Sequence, residues 1–157
     1  MNTASLNEIK KELHTLDSEV ILGLCMRLAK YKKENKELLN YLLFEAHNEQ
    51  AYLTSVKEFV DQFFKDVPAP NLYLTKKTLR KILRFVNKQV KYSGIVQTEI
   101  ELRVYFCTKI KEARVPLTEG TVLFNLYQQQ LKKIYDCLSK LPEDLQADYL
   151  REIEIIT

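Results

Sequence analysis

Tyr73-Leu74-Thr75-Lys76-Lys77-Thr78-Leu79-Arg80-Lys81-Ile82-Leu83-Arg84-Phe85-Val86-Asn87-Lys88-Gln89-Val90-Lys91-Tyr92 runs for twenty residues without a glycine, a proline or an acid. Set about 100° apart, Leu79, Ile82, Leu83, Val86 and Val90 fall on one face, and Lys77, Arg80, Lys81, Arg84, Lys88 and Lys91 cluster roughly opposite. That division has the period of a helix, so the stretch predicts one amphipathic helix from about Leu72 to Tyr92. Ser93-Gly94 stops it, glycine being the usual residue past a helix end. Upstream, Val67-Pro68-Ala69-Pro70-Asn71 interrupts the pattern, because proline cannot donate to a helix ladder and biases its predecessor toward extended backbone.

The same spacing continues on both sides. Toward the C-terminus it predicts a helix over about 98–113, ended by Val115-Pro116, another over about 118–140, and an eighth that starts at Leu141-Pro142-Glu143-Asp144. Toward the N-terminus, Leu6, Ile9, Leu13 and Leu16 mark a short helix over about 5–15, and Asn48 is placed to cap a fourth helix over about 49–66. A third, near 34–46, opens with acids that suit the positive end of a helix dipole. The second, capped at Asp17 or Ser18, holds Val20-Ile21-Leu22-Gly23-Leu24-Cys25-Met26, apolar on all sides, and reads as the central buried helix, with a neighbour packed closely on Gly23.

The expectation is an all-α fold of about seven to eight helices, antiparallel hairpins stacked as an α-α superhelix or an irregular bundle, because connections this short make neighbours antiparallel. Residues 1–157 read as a single domain, in which Pro68–Asn71 offers a joint between halves 1–67 and 72–157. No repeat recurs at a fixed period of the kind that armadillo, HEAT or TPR arrays show. A chain of 157 residues can bury roughly 70% of its unfolded surface.

Composition excludes several classes. The 46% hydrophobic and 29% charged fractions fit a globular chain, neither disordered nor membrane-embedded. The start, Met1-Asn2-Thr3-Ala4-Ser5, has no basic stretch followed by an apolar one, so a cytoplasmic location is the expectation. Cys25, Cys107 and Cys137 lie far apart in apolar surroundings and read as three reduced structural thiols. Gly23, Gly94 and Gly120 cannot build a phosphate-binding loop, a dinucleotide turn or a nucleophile elbow. His14 and His47 stand on different helices without metal-ligand spacing, and Glu143 and Asp144 are explained by the dipole of the helix they start. No catalytic, cofactor or metal constellation emerges, and the reading is that of a protein that is not an enzyme.

Charge is the one asymmetric feature. Between Asp66 and Glu99 there is no acid, while Lys76, Lys77, Arg80, Lys81, Arg84, Lys88 and Lys91 contribute seven positive charges; with a formal total of +3, the remainder of the chain sums to −4. Like charges at three and four spacing repel by a few tenths of a kcal/mol per pair unless something neutralises them. Glu99, Glu101 or other acids on adjacent helices are one source. An acidic protein partner or a second copy is another, and nucleic-acid phosphates, with Tyr73 and Tyr92 flanking the stripe, are a third. The candidate contact surface is thus Lys77, Arg80, Lys81, Arg84, Lys88 and Lys91, with no cofactor and no membrane.

Glu34-Asn35-Lys36-Glu37-Leu38-Leu39 through Tyr41-Leu42-Leu43-Phe44-Glu45, Leu79 to Arg84, and Pro142-Glu143-Asp144-Leu145-Gln146 together resemble a family of short uncharacterised bacterial all-helical proteins. The resemblance implies a helical stack and carries no activity. A looser architectural likeness is to HEAT-like DNA alkylation repair proteins, which present basic helices to duplex backbones; no residue here matches their base-reading pocket, and Trp is absent.

Overall fold

The computed structural model describes residues 1–68 and 70–157; Ala69, within the proline segment, lies outside the described residues. Among these the fold is all-helical, with eight α-helices and no strand: α1 (Leu6–Leu13), α2 (Ser18–Tyr31), α3 (Lys33–Asn40), α4 (Glu49–Lys65), α5 (Leu72–Ser93), α6 (Val96–Glu112), α7 (Val122–Leu138) and α8 (Glu143–Ile156). A π-helical turn, Tyr41–Glu45, follows α3 directly.

Local chemistry sets several helix ends. Ser5 and Glu8 form a reciprocal capping box at the start of α1, which lowers the pKa of Glu8 through the bonds it accepts from the Ser5 backbone and hydroxyl. Asn48, Asn71 and Thr121 each accept from the backbone N–H three residues on, opening α4, α5 and α7. Gly94 closes α5 with φ +68°, and Arg114, with φ +53°, takes the same left-handed position after α6, where glycine is the commoner choice. Helix α7 begins at Val122, later than the sequence suggests, because Gly120 (φ +82°) turns the chain and Thr121 then caps it.

The chain divides into two compact units, Met1–Phe44 and Glu45–Thr157. The Pro68–Asn71 joint read from the sequence connects α4 to α5, two helices packed together within the second unit. There α6 is the central element, in contact with α4, α5, α7 and α8. Its Ile100, Phe106, Cys107 and Ile110 are fully buried, as are Val60 of α4, Ile82 and Val86 of α5, Ile134 of α7 and Ile153 of α8. Glu49 accepts from Ser93 and Thr98 and so ties the start of α4 to the end of α5 and the start of α6.

Three expectations about α2 are corrected. The helix buries no residue, and Val20, Leu22, Leu24, Met26 and Leu28 are all exposed. A Cβ built at Gly23 meets nothing within 4 Å, so no neighbour presses on it. Cys25 is exposed, whereas Cys107 and Cys137 are buried. The physical reason is scarcity of cover: a unit of 44 residues has too few elements to enclose a helix with this much apolar circumference.

Candidate anionic-partner surface

Helix α5 is divided lengthwise. Thr75, Leu79, Ile82, Val86 and Val90 form its buried line, and Lys77, Arg80, Lys81, Arg84 and Lys91 stand exposed on the opposite side, with Lys88 half-buried. From Lys77 to Lys91 the stripe is about 21 Å long at the helical rise of 1.5 Å per residue. The helix is held firmly: Asn71 caps it, the Thr75 hydroxyl donates to the Pro68 carbonyl at 2.9 Å, and the Tyr52 hydroxyl donates to Gln89 Oε1 at 2.7 Å.

The acids nearest in sequence do not neutralise this stripe. Glu99 binds Arg103, and Glu101 binds Lys57 at 3.2 Å. Among the described residues, Lys77, Arg80, Lys81, Arg84 and Lys91 make no ion pair. Lys81 instead lies 5.4 Å from the centroid of the Phe63 ring, and Lys76 lies 5.7 Å from that of Tyr73, itself 69% exposed. Among the described residues, no ion pair offsets the repulsion among Lys77, Arg80, Lys81, Arg84 and Lys91. The first turn of α5 contains no acid either, so its dipole is unopposed where Lys76 begins the basic run.

An aromatic margin borders the cations on the α4 side. Phe85 of α5 packs edge-on against Phe63 at 5.5 Å and tilted against Phe59 at 5.9 Å. Phe59 is 53% exposed, an apolar ring beside a charged face. The helical spacing of Phe59 and Phe63 suits a core position as well; the tertiary contact is what reveals their place beside Lys81.

Two polar clusters went unread in the sequence. Arg103, 4% exposed, donates from Nε to Glu99 and from Nη1 to Asn87 at 2.9 Å and to Gln130 at 2.8 Å, with Gln130 itself 1% exposed. On the α4–α6 face, the Tyr105 hydroxyl sits 2.7 and 2.8 Å from the two Asp61 carboxylate oxygens, with the Lys57 and Lys109 ammonium groups each 5.4 Å from its ring. Lys109 also pairs with Glu112 and Asp61, and hydrogen bonding to those two carboxylates raises its pKa. Burial, followed by the bond to Asp61, raises that of Tyr105. Both clusters pair their own charges. The spacing of Glu99 and Arg103 hinted at the first cluster; Asn87 and Gln130 come from other helices and left no local trace.

His14 and His47 are exposed at the ends of short segments, and among the described residues no group of three or more His, Cys, Asp or Glu side chains is arranged to hold a metal. Glu143 and Asp144 lie in the first turn of α8. No described helix is long and apolar enough to cross a membrane. The chain matches no protein-family model, no curated protein and no solved structure.

Proposed function

We propose that this chain is a non-enzymatic interaction module whose α5 stripe receives an acidic protein partner. The observation that carries the reading is the set of exposed cations at Lys77, Arg80, Lys81, Arg84 and Lys91 that make no ion pair among the described residues, bordered by the half-exposed Phe59 ring. Arginine and aromatic side chains side by side are the composition of protein interface anchors. Charge on the rim would steer association, and the ring would contribute apolar burial that a phosphate backbone has no use for. A cytoplasmic location belongs to the same proposal, supported by two buried thiols and the lack of a described membrane-spanning helix.

A second reading, binding to nucleic-acid phosphates, is favoured by Tyr73, exposed near the head of the stripe and available for stacking. Fluorescence anisotropy separates the two. An acidic peptide, a DNA duplex and a single strand are each titrated at about 50 and 200 mM salt. Peptide binding that is lost in a Lys77→Ala, Arg80→Ala, Arg84→Ala variant and weakened by Phe59→Ser supports the protein partner. Oligonucleotide binding that falls steeply with salt and ignores Phe59→Ser transfers the site to nucleic acid, and absence of oligonucleotide binding at low salt sinks that second reading.

A further inference from the structure

The first unit, Met1–Phe44, leaves most of its apolar side chains uncovered. All of its residues are described, and only Tyr41 is buried. Thirteen large apolar residues between Leu6 and Phe44 remain between 37% and 86% exposed. Summed over the unit, that is on the order of 1,000 Å² of apolar-residue surface, and a standard interface covers about 800 Å² per partner. Helical units this small are commonly held together by oligomerisation.

We propose that Met1–Phe44 is a homodimerisation element, in which the α2–α3 face of one copy covers the same face of a second. The contact centres on an apolar groove between the two helices, lined by Cys25, Leu28, Ala29, Leu38, Leu39 and Leu42. Helical geometry places Glu19, Gly23, Arg27 and Lys30 together on the side of α2 away from that groove, so one narrow polar strip stays in water and fixes which face is covered.

Area and charge together choose a second copy as the occupant. Summed over the unit, the exposed apolar surface is of the order that each side of a stable symmetric dimer covers, and an isologous contact uses the same patch twice. The unit carries seven basic and six acidic residues, a net charge of +1, so two copies approach without appreciable repulsion. A strongly acidic or basic partner would find no complementary field here. The α5 stripe, by contrast, repels its own image.

The test uses the full chain. Sedimentation equilibrium is expected to give twice the 18.5 kDa chain mass for the wild type, and the chain mass for a Leu28→Glu, Leu42→Glu variant that keeps its helical circular dichroism. Cys25 supplies an independent readout, because Cys107 and Cys137 are buried. Its reaction with a thiol reagent is expected to accelerate at least about tenfold when the wild type is diluted through its dissociation constant, whether or not the variant folds. A wild type that sediments as a monomer at about 100 μM overturns the proposal. So does a dimer that keeps its mass in the folded variant, since the copies would then meet elsewhere, and so does a Cys25 rate that ignores concentration.

Discussion

Arg103 grips Glu99, one turn earlier on α6, with two of its nitrogens, Nε and Nη2, each 2.8 Å from the same carboxylate oxygen. This pairing keeps Glu99 from α5 and supplies the counter-charge for a guanidinium buried at the centre of the second unit. Removing one member of such a pair leaves the other, and here also Asn87 and Gln130, without their partner. Arg103→Ala is expected to lower unfolding free energy by about 3 kcal/mol, the low end for buried pairs because Glu99 is partly solvated. Urea denaturation measures it, and a loss under about 1 kcal/mol would show that water replaces the guanidinium.

The basic stripe makes a prediction of opposite sign. Arg80 lies one turn from Lys76, Lys77 and Arg84, so Arg80→Glu converts three repulsive neighbours into attractive ones. Thermal unfolding should show the variant more stable by about 0.5–1 kcal/mol, while the acidic-peptide affinity falls. Stability gained at the cost of binding is the signature of a surface kept for a partner.

Gly23 sits in mid-helix with open space where a side chain would go. Gly23→Ala should therefore stabilise the protein by about 1 kcal/mol, the propensity difference alone. A destabilised variant in solution would place a close neighbour on that strip of α2.

Burial pushes the Cys107 thiol up to about 12 from its usual value near 9. The folded chain holds this proton where the unfolded chain has released it, so the contribution is complete below pH 9 and is lost as pH rises toward 12, by at most about 1.4 kcal/mol per pH unit. Cys107→Ala should flatten the fall of stability between about pH 9 and 11, read as the difference between the two denaturation series. Parallel curves would show that the folded chain releases the Cys107 proton as readily as the unfolded one.

The helices were legible because their punctuation is local. Asn48 does cap α4, Gly94 does end α5, and the lengthwise division of α5 follows from period alone. What periodicity could not show is which helix lies in the middle. Helix α2 is a continuous apolar run and looks central, yet burial depends on how many neighbours are present to cover it. Helix α6 interleaves Glu99, Glu101, Arg103 and Tyr105 with its apolar residues and looks half-solvated. Those polar groups turn inward or sideways onto partners from α4, α5 and α7, which no reading of α6 alone can supply. The candidate stripe was visible in full as a sequence pattern. That Glu99 and Glu101 are engaged elsewhere, and that Phe59 borders Lys81 through Phe63 and Phe85, are facts of packing.

The position of α6 also sets a timetable for synthesis. Helices α4 and α5 leave the ribosome before the helix they enclose, and at about 5–20 residues per second roughly two to nine seconds separate Lys65 from Glu112. Until α6 emerges, the sides of Val60, Ile82 and Val86 that it covers stay open.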